Sequence, residues 1–145
     1  MTAPILAYEK PIPEITDLTK PFWEAAKRNE LVLQNCKTCR KYQWYPRYSC
    51  INCGSRNFEW KKVSGRGTVY SYTIIRQVVA NSPVFQKDIP FVVALVDLEE
   101  GVRMYSNIVG CKPEEVHIGM SVEVAFAQVT NEVSLPEFKP TASKE

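Results

Sequence analysis

A mainly β protein with one N-terminal helix is the fold that the sequence predicts. Two C-x-x-C pairs stand between short candidate strands over residues 31–63. From residue 66 onward, runs rich in β-branched and aromatic residues are separated by turn residues, as in small all-β domains. The chain has 145 residues, which suits one domain or two very small ones. Its composition, 45% hydrophobic and 23% charged residues, is ordinary for a globular protein.

The N-terminal segment combines an arm and a helix. Prolines within residues 1–18 predict an extended arm. Residues 19–29 predict a short helix, because Thr19 can cap it and Pro21 is tolerated in its first turn. We expect the apolar side of this helix to be formed by Phe22, Trp23 and Ala26.

Three short strands are predicted around the cysteines, at residues 31–35, 42–45 and 58–63. Each strand borders one of the C-x-x-C turns. Two such turns on neighbouring hairpins are typical of a zinc ribbon. We therefore assign residues 19–65 to a helix followed by a zinc ribbon.

Five strands are predicted in the second half, at residues 68–75, 91–98, 102–109, 121–129 and 135–139. Glu99–Gly101 is expected to join the second and third strands as a hairpin, and Pro136 to place the fifth strand at a sheet edge. With a helical turn at residues 113–116, the pattern fits a five-stranded barrel of the OB-fold type over residues 66–140.

Two segments of the second half lack a regular pattern. The connection from Gln77 to Pro90 is long for a compact domain and predicts either a functional loop or simple disorder. Residues 141–145 are predicted to be a disordered tail.

The cysteine pattern is the most specific feature of the sequence, and its members are Cys36, Cys39, Cys50 and Cys53. Zinc takes four soft or borderline ligands in a tetrahedron, and each C-x-x-C turn supplies two sulfurs. Since these four fill every coordination position, we expect a structural rather than a catalytic zinc. Two disulfides, a rubredoxin-like iron site and a redox dithiol are the alternatives.

The first residues argue against the disulfide alternative. They lack the basic region and apolar core of a signal peptide, and the chain contains no apolar run of membrane-spanning length. We therefore expect a cytoplasmic protein without a membrane segment, in which paired cysteines bind metal.

The turns after the two cysteine pairs differ. Gly54 follows Cys53, as is common where a cysteine turn takes a positive φ. Arg40 stands at the corresponding position after Cys39, where a glycine would also be convenient. Its side chain either projects from the turn as a usable charge or is merely tolerated there.

Charge is divided unevenly along the chain. Residues 1–66 carry 12 Lys and Arg against 6 Asp and Glu, whereas residues 67–145 carry 6 against 10. Around the predicted ribbon, basic residues alternate with aromatic ones, a combination that suits nucleic acid and equally the adenosine phosphates of coenzyme A. The alternative is that the charges are solvated and the aromatic rings pack the ribbon against its neighbours. The candidate phosphate contacts are Arg40, Lys41, Arg47, Arg56, Lys61 and Lys62.

Candidates for catalysis are few. His117 is the only histidine, and Cys111 is the only cysteine outside the two pairs. Both lie in predicted loops; His117 has no nearby nucleophile in the sequence, and a lone cysteine such as Cys111 is more often a small, buried or partly buried hydrophobic residue. We therefore predict no catalytic residue and do not expect the chain to be an enzyme by itself.

Several motifs follow one another as they do in the DUF35 family, over roughly residues 20–140. Besides the cysteine pairs they are Pro21–Trp23, Leu31–Leu33, Tyr45–Pro46, Gly65–Thr73, Pro90–Val96, Gly101–Arg103, Ile118–Val122 and Pro136–Phe138. The sequence thus resembles a family with a rubredoxin-like zinc ribbon followed by an OB-fold. The missing glycine after Cys39 departs from the family pattern and affects the expected turn geometry more than the expected metal binding.

The resemblance implies an accessory role. Family members act beside thiolase-like enzymes in acyl-CoA condensation, thiolysis or retro-aldol cleavage, including the degradation of aromatic compounds. We therefore expect a noncatalytic subunit that carries structural zinc, binds or guides the CoA thioester and stabilises a catalytic partner in a hetero-oligomer. The alternative is a single-stranded nucleic-acid-binding protein, which the acidic second half disfavours, because a groove that follows phosphates should be basic. A free-standing enzyme that uses Cys111 or His117 is the weakest hypothesis.

Overall fold

The computed structural model describes residues 9–78 and 82–141. Residues 1–8 of the predicted arm, residues 79–81 of the predicted loop and residues 142–145 of the predicted tail lie outside the described residues. In chain order the helices and strands are α1 (Lys20–Lys27), β1 (Val32–Cys36), β2 (Tyr42–Gln43), β3 (Phe58–Lys62), β4 (Arg66–Ile75), α2 (Pro83–Gln86), β5 (Phe91–Leu98), β6 (Arg103–Ile108), β7 (Ser121–Gln128) and β8 (Ser134–Pro140). A 3-10 turn at Pro113–Glu115 precedes β7.

Helix α1 occupies the predicted position, with two differences in detail. Thr19 is at the N-cap, but its hydroxyl makes no capping bond. Instead the Thr16 amide donates to Thr19 Oγ1 at 3.1 Å, and the two threonines close a local turn. Ala25 is buried together with Phe22 and Ala26, whereas Trp23 is only half-buried. The helix therefore covers the core with one phenyl ring and two small residues, and the Trp23 indole packs at the margin of the core.

The three strands around the cysteines form an antiparallel sheet in the order β2-β1-β3. Strand β1 pairs along its whole length with β3, from Val32 opposite Lys62 to Cys36 opposite Phe58. Strand β2 is shorter than predicted, and Gln43 lies opposite Gln34. All five residues of β1 are buried, so this strand is the centre of the ribbon.

The other five strands of the described residues form a closed barrel in the order β4-β5-β6-β8-β7. This arrangement confirms the predicted architecture of helix, ribbon and OB-fold barrel, including the hairpin of β5 and β6. Strand β8 is not at an edge as predicted, because it lies between β6 and β7. Pro136 is tolerated there because the ladder between β6 and β8 consists of one registered pair, Ile108 opposite Phe138.

One hydrophobic core connects the ribbon to the barrel. Phe22 of the helix and Leu33 of the ribbon belong to the same buried cluster as Val69, Val96 and Phe138 of the barrel. Packing is therefore continuous across residue 65, where the sequence predicts the boundary between the ribbon and the barrel.

The long connection between β4 and β5 contains a short helix. Helix α2 spans Pro83–Gln86, and Lys10 of the arm forms an ion pair with Asp88 just beyond it. The same ammonium lies 5.6 Å from the centre of the Phe85 ring. The arm and this connection thus hold each other against the barrel.

Among the helices of the described ranges, none has the length and the apolar content needed to cross a membrane.

Gly67 is held between two strands, and its substitution should be the more disruptive of two matched glycine changes. A Cβ at Gly67 would lie 2.4 Å from the Asp97 carbonyl oxygen, which is backbone and cannot move aside. Gly67→Ala should therefore lower the free energy of unfolding by about 2 kcal/mol or more. Gly101→Ala should cost only about 1 kcal/mol, because its φ of 96° is strained for alanine but nothing lies within 4 Å. Urea denaturation of both variants measures the difference, and a larger loss for Gly101→Ala would contradict it.

Candidate metal centre and ligand groove

The four paired cysteines meet at one end of the ribbon. Their Sγ atoms all lie within 4.8 Å of one another, and the Sγ atoms of Cys36 and Cys53, like those of Cys39 and Cys50, are 3.6 Å apart. Four sulfurs bound to one tetrahedral zinc at about 2.3 Å would be separated by about 3.8 Å. A disulfide would require about 2.05 Å. The arrangement therefore fits a shared metal ion and does not fit two disulfides.

The backbone of each cysteine turn directs amide groups at the sulfurs. The Cys39 amide lies 3.4 Å from Cys36 Sγ, and the Asn52 amide lies 3.3 Å from Cys50 Sγ. Arg40 has a φ of 71° and Gly54 a φ of 80°. Both turns thus use the left-handed conformation, and the first imposes it on an arginine at a cost of about 1 kcal/mol.

The environment favours thiolate at some of the sulfurs and opposes it at another. The hydrogen bond from the Cys39 amide lowers the pKa of Cys36 to about 6, and a bond from the Asn52 side chain lowers that of Cys39. At Cys53 a hydrogen bond from the Ser55 backbone favours the thiolate, but burial and the neighbouring sulfurs raise the pKa to about 11. Four thiolates at these distances need a shared cation, which is the function of zinc in such a donor set.

Two buried glutamines hold the second cysteine turn against the sheet. Gln43 Nε2 donates to Gln34 Oε1 at 2.7 Å, and Gln34 Nε2 donates to the Arg47 carbonyl at 2.9 Å. The backbone amides of Arg47 and Ile51 donate in return to Gln34 Oε1 and Gln43 Oε1, each at 3.0 Å. Since Ile51 follows Cys50, the pair fixes the chain that carries this ligand. The available sequence signal was that Gln34 and Gln43 are polar residues inside predicted strands.

The structure does not gather the six predicted phosphate contacts into one pocket. Arg40 and Lys41 lie in the first cysteine turn, Arg56 lies beyond the second, and Lys61 and Lys62 end β3. Arg47 lies between β2 and the second turn, with Nη1 donating to the Tyr45 carbonyl at 3.3 Å. All six residues are exposed.

A cavity of about 560 Å³ lies under the arm and α2, and we call it the arm cavity. Its apolar wall consists of Phe85, Phe91, Ile108, Val109 and Leu135. Lys10, Asp88, Asn107 and Glu137 supply its polar groups. Glu137 is half-buried, and burial raises its pKa, although Lys10 nearby lowers it and Asp88 raises it further.

A second cavity, of about 340 Å³, lies where the ribbon meets β6 and β8, and we call it the aromatic cavity. Trp23, Trp44, Tyr45, Pro46 and Tyr105 contribute to its wall. Asn107, Leu135 and Glu137 line both cavities. These shared residues make the two cavities adjacent along the seam where β6 and β8 have a single registered pair, and we call the two together the groove. Local sequence patterns did not predict it.

The two residues considered for catalysis lie outside the sulfur cluster and outside the lining of both cavities. The pKa of Cys111 is raised, mainly by burial and also by Glu115, so the thiol form is favoured. His117 is exposed, and its Nδ1 lies 3.2 Å from the Glu115 carbonyl oxygen.

The fold and the sulfur cluster define a rubredoxin-like zinc ribbon joined to an OB-fold barrel. Residues 23–59 match the family model described as the ChsH2 rubredoxin-like zinc ribbon domain, and residues 60–127 match that of the ChsH2 C-terminal OB-fold domain. The chain is also 39% identical, over 68% of its length, to a DUF35 domain-containing scaffold protein of Methanocaldococcus jannaschii, of which it covers 69%. The chain belongs to the DUF35 family, as its motifs predict.

Other relatives have names that refer to CoA chemistry. A probable enoyl-CoA hydratase alpha subunit of Thermomonospora curvata is 39% identical over 86% of this chain. The chain spans only 38% of the length of that relative. The benzoylsuccinyl-CoA thiolase subunit BbsA of Geobacter metallireducens is 33% identical over 52% of this chain and 47% of its own length. Among solved structures, the Ltp2-ChsH2(DUF35) aldolase superposes with a TM-score of 0.78 at 35% identity, covering 89% of this chain and 98% of that one.

The glutamine pair yields a test of how the ribbon is held together. Gln34→Leu keeps a similar volume but removes the partner of the Arg47 amide and of the Arg47 carbonyl, together with the 2.7 Å acceptor of Gln43 Nε2, which should cost about 3 kcal/mol. We expect a marked drop in Tm measured by circular dichroism. Gln86→Leu, at an exposed position of α2, is the matched control and should leave Tm unchanged. Equal Tm values for both variants would show that the pair contributes no stability.

Proposed function

We propose that this protein is a noncatalytic zinc-binding subunit of a thiolase-like complex that acts on acyl-CoA thioesters. The observation that carries the proposal is the similarity of one ribbon and barrel to proteins named for three activities, a hydratase, a thiolase and an aldolase. One small module cannot supply three different catalytic mechanisms. The hydratase and the thiolase are both named for a CoA thioester, so a common module is best explained by binding that ligand or the chain that transforms it.

The proposed metal is zinc, held by Cys36, Cys39, Cys50 and Cys53. The separations of their sulfurs, the amide groups directed at them and the family of the ribbon support this assignment. With four protein ligands the ion has no open position for substrate, so its contribution is to fold the cysteine end of the ribbon.

The proposed partner is thiolase-like, as the resemblance of the sequence to the DUF35 family implies. Among the relatives, the names thiolase and aldolase denote reactions that make or break a carbon–carbon bond, while two other relatives are named as hydratase alpha subunits. Such reactions need a nucleophile or base at the reacting carbon, which Cys111 and His117 are poorly placed to provide. The reaction is thiolysis, condensation or retro-aldol cleavage, and the degradation of aromatic compounds is one setting for it.

The two modules divide the task in this proposal. The ribbon module, residues 19–65, presents exposed basic side chains to the CoA phosphates, and the barrel module, residues 66–140, meets the acyl group and the partner. The complex operates in the cytoplasm.

Loss of one ligand tests the metal assignment. Cys50→Ser should lose one equivalent of zinc and unfold residues 31–63, because zinc supplies on the order of 10 kcal/mol to the folding of such small modules. Elemental analysis and amide NMR spectra measure the two effects. Cys111→Ser is the matched control and should retain both zinc and fold, since this cysteine lies outside the sulfur cluster. A folded, zinc-containing Cys50→Ser protein would overturn the assignment.

Purification from the native host tests the proposed complex. We expect a thiolase-like chain to co-purify, and the complex to bind CoA thioesters in preference to single-stranded nucleic acid. Reversing the charge at Arg40 and Lys41 should weaken CoA binding about tenfold without loss of zinc, since both residues are exposed. Unchanged affinity removes these two residues from the site. Salt-sensitive nucleic-acid binding without a companion chain would replace the proposal with the alternative function.

A further inference from the structure

The groove along β6 and β8 has the form of a site for an elongated ligand. It runs along β6 and the residue that follows it, from Met104 to Val109. At the rise of a β-strand this distance is about 17 Å. Its volume falls in two parts that meet at Asn107, Leu135 and Glu137. A chain-like molecule with a bulkier end fits this shape better than a compact one.

The arm cavity is suited to the bulkier end. Its volume of about 560 Å³ lies within the range of small-molecule sites, and most of its wall is aromatic or aliphatic. Lys10 closes one side through its ion pair with Asp88 and its position over Phe85. An apolar group of the size of a phenyl ring would be removed from water on entering this cavity. The arm and α2 cover the cavity.

The junction of the two cavities offers hydrogen-bonding groups in an otherwise apolar wall. Asn107 Nδ2 donates to the Val92 carbonyl at 2.9 Å. This bond orients the side-chain amide, so that its oxygen points away from the Val92 carbonyl. Glu137 adds a half-buried carboxyl group opposite it in the same cavities. A few oriented polar groups between apolar walls suit a ligand that carries amide or carbonyl groups along its length.

A cation marks the ribbon end of the groove. Arg47 follows Pro46, which lines the aromatic cavity, and its guanidinium is exposed. The contact of Nη1 with the Tyr45 carbonyl uses only part of its donor capacity. Phosphate oxygens are among the groups that arginine binds best. A ligand that extends out of the groove at this end would therefore present its phosphates to Arg47.

We propose that this groove binds the acyl-pantetheine part of a CoA thioester, with an apolar acyl group in the arm cavity, the pantetheine chain along the aromatic cavity and the nucleotide phosphates at Arg47. The inference rests on the proposed function and adds to it the class of acyl group, aromatic or alicyclic rather than a short chain. It also singles out Arg47 among the six basic residues, because Arg47 alone of them is next in sequence to a groove-lining residue, and it leaves the expected contribution of Arg40 and Lys41 as stated.

The test uses the zinc-loaded full chain and three probes: CoA, acetyl-CoA and benzoyl-CoA. Trp23 and Trp44 line the groove, so their fluorescence reports occupancy, and calorimetry gives the affinities. We expect benzoyl-CoA to bind about tenfold more tightly than CoA or acetyl-CoA, because only its ring packs against the apolar wall of the arm cavity. Arg47→Glu should weaken all three probes by a similar factor.

Two changes to the arm cavity distinguish acyl binding from other contacts. Val109→Phe fills the cavity and Phe85→Ala opens its roof, and each should bring benzoyl-CoA to within about twofold of CoA. Ser71→Phe is the control for the first change, because this exposed residue of β4 lines neither cavity, and it should preserve the tenfold preference. Tm and zinc content confirm that each variant is folded.

The outcomes separate this inference from the proposed function. Equal affinity for all probes, no binding by the chain, or an unchanged preference in both cavity variants would overturn the groove assignment, while co-purification with a thiolase-like chain would still support the accessory role. Loss of partner association in Val109→Phe with unchanged thioester affinity would instead make the groove a docking site for the partner, which also overturns the assignment.

Discussion

A single hydrophobic core that passes from the helix and ribbon into the barrel is the constraint on which the other features depend. Phe22 and Leu33 pack in the same cluster as barrel residues, so the ribbon cannot turn relative to the barrel without exposing apolar surface. Polar contacts reinforce the junction, since the Ser64 amide donates to Glu100 Oε2 at 2.9 Å. The groove is formed by residues from both sides of this junction, and its shape therefore depends on this packing.

The cysteine end of the ribbon is built on a different principle. There the buried side chains include Gln34, Asn35 and Gln43, and apolar burial cannot hold the turns in place. Directional hydrogen bonds position the backbone of the turns instead. One of them runs from Asn35 Nδ2 to the Arg40 carbonyl at 3.0 Å. In the proposed metal site a cation then balances sulfurs that otherwise oppose their joint ionisation. At the cysteine end of the ribbon, the proposed metal and the hydrogen bonds of buried amides thus provide the stability that an apolar core provides elsewhere.

The sequence predicted the parts of this structure that depend on local patterns. Cysteine spacing, the period of the barrel strands and turn residues such as Gly101 each act over a few residues, and all were recovered. The closed position of β8 was missed because Pro136 disfavours a central strand, while its tolerance depends on a partner strand about 30 residues earlier. The groove was missed for the same reason, since Lys10, Asn107 and Glu137 meet only after the chain has closed the barrel.

A module of this kind can serve several reactions because binding and chemistry are separable. Interactions with the ends of a substrate position its reacting carbon without touching it, and holding reactants in place lowers a barrier whatever bond is broken. The groove offers groups for this purpose: an apolar wall, the amide of Asn107, the carboxyl of Glu137 and the cation of Arg47. A nucleophile or base contributed by a second chain would then determine the reaction. In the proposed complex, a change of partner would alter the chemistry while the proposed thioester groove is kept, and this would account for the different activities in the relatives' names.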